Sequence, residues 1–174
     1  MQKVDVTIRG ARTTDAGLLA ELGRRTFEET YSAYNTDDDM EDYIASAFSV
    51  GQQTADLADS AAILLIAEVD GVAAGYAKLH PGKLGAGVEG ARPIELSRLY
   101  ALREWLGRGV GAALMRACLD HARSAGYETI WLGVWGQNAR AQAFYVKWRF
   151  RAVGEHTFQL GSDRQRDIVM ERAL

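Results

Sequence analysis

Apolar and polar positions along the 174-residue chain change period several times, and each change marks an element. In "VDVTIRGA" (4–11), Val4, Val6 and Ile8 alternate with polar residues, the period-two pattern of a half-buried strand. "TTDAGLLAELGRRTFEETY" (13–31) switches to helical spacing through Leu18, Leu19, Leu22 and Phe27, with Asp15 as its cap. A second helix is expected over 37–48, where Met40, Ile44 and Phe48 stand four apart behind an acidic first turn. Residues 61–80, "AAILLIAEVDGVAAGYAKLH", are two β-rich apolar runs broken by Asp70-Gly71, a pair suited to a two-residue hairpin turn. They predict two antiparallel strands.

Segment 81–93 holds both prolines and four glycines and reads as a long loop, expected to close over a bound substrate. Then come a strand at "IELSRLYAL" (94–102), a glycine-rich turn, and a helix from about Gly109 to Ser124 stopped by Gly126. A buried-type strand (129–135), a short helix from an Asn138 cap (138–148) and two strands near 150–160 and 167–174 close the chain. With no internal repeat and no dividing linker, this is a mixed α/β chain expected to form one domain over 1–174.

Composition narrows the function class. Hydrophobic residues make up 48% and charged residues 25%, as in ordinary globular proteins. A net charge of −3, from 20 basic and 23 acidic residues, offers no footprint for nucleic acid and suits a cationic small substrate. No apolar run approaches a membrane span, and no cationic start precedes an apolar stretch, so a cytoplasmic protein without membrane contact is expected. The one cysteine, Cys118, reads as a buried small residue. His80, His121 and His156 show no metal-ligand spacing, and no metal is expected.

The candidate chemistry starts at "LGRGVGAALM" (106–115). Glycine costs backbone entropy on folding, so Gly107, Gly109 and Gly111 at a helix start call for a reason beyond stability. A bare backbone lets an anion reach the unpaired N–H groups of the first turn, and Arg108 adds charge. The alternative is a tight turn with close helix packing. A Walker loop is absent, and a dinucleotide fingerprint would need glycine at 114, which is Leu.

"LYALREWLGRGVGAALM" (99–115) resembles the acyl-coenzyme A loop of the GCN5-related N-acetyltransferases (the GNAT superfamily). "LGVWGQNARAQAFYVKWRF" (132–150) resembles that family's following strand, Asn and Tyr-bearing helix. "FEETYSAYNTDDDMEDYI", "IWLGVW" and "GEHTFQLGSDRQRDIVM" extend the likeness to PaiA-type polyamine N-acetyltransferases. The resemblance implies an acyl-CoA N-acyltransferase fold, a mixed and mostly antiparallel twisted sheet flanked by helices. It also implies acetyl-CoA as co-substrate, a primary amine such as spermidine or spermine as acceptor, direct transfer without a metal, and a homodimer as a common state. Leu106, Gly107, Arg108, Gly109, Val110 and Gly111 would hold the pyrophosphate. The backbone of Leu99, Tyr100 and Ala101 would pair with the acetyl and pantetheine end. Asn138 and Lys147 would contact the coenzyme, and Tyr145 would protonate the departing sulfur. Two positions depart from the family pattern: Leu106 stands where Gln or Arg is usual, and Arg149-Phe150 where Gly-Phe is usual.

An amine resembling that of lysine has a pKa of about 10.4, so a proton must leave before attack. Strand alternation sets Glu95, Ser97 and Leu99 on one face and Leu96, Arg98 and Tyr100 on the other, which makes Glu95 a candidate base, with a structural acid as its alternative. Asp37, Asp38, Asp39, Glu41 and Asp42, extended by Glu28 and Glu29, are either a solvated helix start or an acidic wall that attracts a polycation. Rival functions are acetylation of a protein N-terminus, a lysine or another small amine, and coenzyme sensing without turnover.

Overall fold

A computed structural model of the chain describes residues 4–174. Asp70 and Gly71 both take positive φ, 52° and 77°, the turn whose twist matches that of paired strands. Strands β2 (Ile63–Val69) and β3 (Val72–His80) therefore pair outward from Val69 opposite Val72. Around this hairpin the chain builds a seven-stranded sheet in the order β1-β2-β3-β4-β5-β7-β6. The remaining strands are β1 (Thr7–Gly10), β4 (Pro93–Ala101), β5 (Thr129–Trp135), β6 (Arg151–Leu160) and β7 (Asp163–Ala173). Every pairing is antiparallel except β4 with β5.

That parallel pairing is short. It holds Pro93, Ile94 and Glu95 against Thr129, Ile130 and Trp131 and stops there. Beyond it β4 and β5 separate, leaving the inner edge of Leu96–Ala101 without a strand partner. The sheet thus opens into a cleft in its own middle.

Helix α4 (Val110–Ser124) packs on one face through Val110, Leu114, Met115, Cys118 and Ala122, all fully buried among Leu79, Ile94, Ile130 and Leu132. Helices α1 (Ala16–Tyr31), α2 (Asp37–Ala47) and α3 (Val50–Ala58) lie on the opposite face, where Leu19 and Leu22 meet Leu64, Ile66 and Tyr76. Helix α5 (Ala139–Lys147) follows β5 beside the cleft. Helix α3 escapes the apolar pattern because its one buried side chain is Gln53, whose amide donates to the Ala47 carbonyl at 2.9 Å.

The structure corrects two expectations. Strand β4 carries a register shift in which Ser97 has no partner, with Leu79 opposite Leu96 and Lys78 opposite Arg98. A bulged residue resets the alternation. Leu96 therefore packs with Leu99 and Ala101 on the α4 face, while Arg98 lies 4.5 Å over the Phe48 ring on the other. Loop 81–93 is packed rather than poised to close. Val88 is buried with Trp131 and Val169, Gly85 stands against the Trp131 ring, and Gly87 meets the Val153 backbone. Its glycines serve close approach to the sheet, and the loop does not line the cleft.

Candidate active site

The cleft between β4 and β5 has a volume of about 1070 Å³. Its floor on one side is the start of α4. Gly107 (φ 75°) and Gly109 (φ 103°) take left-handed conformations that let the chain turn from β4 into the helix. The first intrahelical bond runs from the Ala113 N–H to the Gly109 carbonyl at 2.9 Å. The N–H groups of Val110, Gly111 and Ala112 have no backbone acceptor among the described residues, and the helix dipole adds positive potential there. A polyphosphate fits this cradle, since no side chain projects from Gly107, Gly109 or Gly111, each of which lines the cleft.

Of the residues expected at the site, Leu99, Tyr100, Ala101, Leu106, Gly107, Gly109, Gly111, Asn138, Tyr145 and Lys147 line this one cleft. Three stand elsewhere. Val110 is fully buried and does not line the cleft. Arg108 lays its guanidinium 5.4 Å over the Trp105 ring. Glu95 sits where β4 and β5 are still paired and lies under Gly82, where an added Cβ would come 3.2 Å from its Oε2. Burial there raises the Glu95 carboxyl above its ordinary range.

Asn138 caps α5, its Oδ1 accepting from the Ala141 N–H at 3.1 Å, which leaves its amide nitrogen free of any described acceptor. Tyr145, 9% exposed, is set by how α5 ends. The Phe150 N–H donates to the Tyr145 carbonyl at 3.0 Å and the Arg149 N–H to that of Val146 at 2.9 Å, with Arg149 at φ 66°. This is a Schellman cap. It brings the Phe150 ring to 5.7 Å, edge-on to Tyr145, while Phe144 flanks at 5.5 Å. The departure at Arg149-Phe150 thus keeps the geometry that glycine would give, at the cost of a strained arginine. Burial pushes the phenol's pKa up, so it reaches the cleft as a neutral donor.

Across the cleft the wall is aromatic and acidic. Tyr31 and Tyr34 pack on Trp135 at 5.4 and 4.9 Å, and Tyr43 stands 5.5 Å from Phe158. Two carboxylates line the cleft, Glu29 and Asp167. The acidic run does not: Asp37 and Asp38 occupy the exposed first turn of α2, and Asp39 accepts from the Ser162 N–H at 2.8 Å. Asp167 was missed by sequence reasoning, since nothing in "RQRDIVM" sets it apart until β7 lies beside β5.

The Acetyltransferase (GNAT) family model matches residues 19–150. An uncharacterised N-acetyltransferase of Mycobacterium tuberculosis (strain ATCC 25618 / H37Rv) is 36% identical over 161 residues, 92% of this chain and 99% of the relative. Another, of Lactobacillus delbrueckii subsp. lactis, is 29% identical over 153 residues, 88% of each chain. Among solved structures, the PaiA N-acetyltransferase of Thermoplasma acidophilum in complex with coenzyme A is similar, with TM-score 0.79 and 23% identity, covering 98% of this chain and 100% of that one.

Proposed function

The chain belongs to the Acetyltransferase (GNAT) family, and on that premise we propose that it moves the acetyl group of acetyl-CoA to a primary amine, with a polyamine such as spermidine as the acceptor. The observation that carries this reading is the single cleft that joins an anion cradle, a free strand edge and Tyr145. Acetyl-CoA supplies an activated thioester. The N–H groups of Gly111 and Ala112 bind the pyrophosphate, helped by Asn138 and Lys147. The edge of Leu99–Ala101 pairs with the pantetheine arm and places the carbonyl near a backbone donor, which favours the charge that develops there. Tyr145 gives its proton to the departing sulfur.

The polyamine reading draws on the aromatic wall of Tyr31, Tyr34 and Trp135, whose ring faces attract alkylammonium groups, and on the Asp167 carboxylate beside it. The test is release of coenzyme A thiol against spermidine, spermine, lysine peptides, amino acids and aminoglycosides. We expect the highest kcat/KM with the polyamines. Tyr145→Phe should lower kcat by about 100-fold and leave the Kd for acetyl-CoA within about 2-fold, because ring packing is kept. Turnover with a different amine would remove the polyamine reading, and coenzyme binding without any turnover would remove the transferase reading for this chain.

A further inference from the structure

We propose that the Asp167 carboxylate receives the ammonium group of the acceptor and takes its proton, with His156 as the positioning residue behind it; this rests on the acetyl transfer proposed above. Asp167 projects from β7 at the register opposite Trp135 of β5 and His156 of β6. Its side chain is 14% exposed, and it lines the cleft. Neither oxygen accepts a hydrogen bond from a described residue; the nearest cation-capable group is His156 Nε2, at 3.7 Å. A carboxylate buried to this degree is costly to leave unpaired, so a cation arriving in the cleft finds acceptor capacity already in place.

The other carboxylate of the cleft is already engaged by protein donors. Glu29 accepts from the Arg103 N–H at 2.8 Å and faces Arg25 at 3.8 Å. The strand beside Asp167 is shaped to admit the pair. A Cβ on Gly133 would stand 2.7 Å from His156 Cε1 and 3.5 Å from Asp167 Oδ2, so glycine in the middle of β5 makes the room that the imidazole occupies. Tyr31 faces Asp167 from α1 and Tyr100 from β4, and Tyr100 also lies within electrostatic reach of Tyr145. β5 presents Gly133 and Trp135 there, neither of which titrates. Proton acceptor and proton donor thus line one cleft, Asp167 from β7 and Tyr145 from α5.

The ammonium gives one proton to the Asp167 carboxylate, and the freed lone pair forms the C–N bond to the thioester carbonyl carbon. The C–S bond breaks, the sulfur takes a proton from Tyr145, and the nitrogen's second proton restores the phenol through solvent. The Asp167 proton leaves to bulk water, so one proton is released per acetyl group moved.

The test is the pH profile of kcat/KM for spermidine in the wild type, Asp167→Asn and His156→Gln, with acetyl-CoA Kd and Tm measured on each. Asp167→Asn should lose about 100-fold or more in kcat/KM while the acetyl-CoA Kd stays within about 2-fold. In His156→Gln the acid limb should move to higher pH, because the charge interaction with His156 that favours the ionised carboxylate is gone. An Asp167→Asn enzyme within about 3-fold of wild type, or an acid limb that His156→Gln leaves in place, overturns the assignment while the transferase reading stands. A wild type that acetylates no amine in the panel overturns both.

Discussion

At the residue scale, the site depends on a few side chains whose conformations are fixed by their neighbours. Tyr145 is held by the Schellman cap that ends α5, and the residue in the left-handed position of that cap is Arg149 at φ 66°. An L side chain there costs about 1–2 kcal/mol, which glycine avoids. The equivalent cap on α4 uses Gly126, at φ 81°, with the Tyr127 N–H donating to Ala122 at 3.0 Å. Arg149→Gly should therefore raise stability by about 1 kcal/mol, read as a higher urea midpoint at constant slope. An unchanged or lower midpoint would mean that the Arg149 side chain gains more from its surroundings than the backbone loses.

At the element scale, two glycine-bearing segments have opposite roles. The turn into α4 leaves its glycines bare to the cleft, whereas loop 81–93 is bare so that its own backbone can lie against β6. Gly87 combines φ 80° with a backbone contact to Val153 that leaves no room for a Cβ. Gly87→Ala should destabilise the fold by about 1–3 kcal/mol, with the acetyl-CoA Kd unchanged because the loop is outside the cleft. Weakened binding with stability intact would instead show that the loop takes part in the site. Sequence patterning located this loop, the hairpin at Asp70-Gly71, the α4 start and the Asn138 cap, because each is set by local backbone demands. It did not locate α3, which is held by Gln53, by Lys78 on Asp56 at 2.8 Å and by His80 on Asp59 at 3.0 Å. Polar anchors leave no periodic trace.

At the scale of the whole molecule, polar ties join the helical layer to both ends of the sheet. At the β1 end, Arg9 bonds Glu68 at 2.7 Å and Asp15 at 2.8 Å, and the Arg12 N–H donates to Asp15 at 2.6 Å. At the other end, Asp39 at the start of α2 holds Ser162 in the β6–β7 turn. The Arg9 hydrogen bonds lower the Asp15 carboxyl below its ordinary range. A lowered folded pKa gives stability that is full above the unfolded value, near pH 4, and is lost as pH falls through the folded value. Asp15→Asn should thus cost about 2 kcal/mol at pH 7, and the gap between its urea midpoint and that of the wild type should narrow below pH 4. A gap that is constant with pH would assign the effect to packing.

The sequence by itself determined the mixed α/β order, the hairpin, the glycine-bearing helix start and the family likeness, since these follow from residues close together along the chain. It also placed Tyr145 and Asn138 correctly on one helix beside that start. Only the tertiary structure decided which acids line the cleft. The bulge at Ser97 resets which side chains of β4 share a face, the packed loop covers Glu95, and the β5-β7-β6 order sets Asp167 and His156 against Gly133. Local patterns specify an element and its caps, whereas a site built across strands depends on register, and register is fixed only when the sheet assembles.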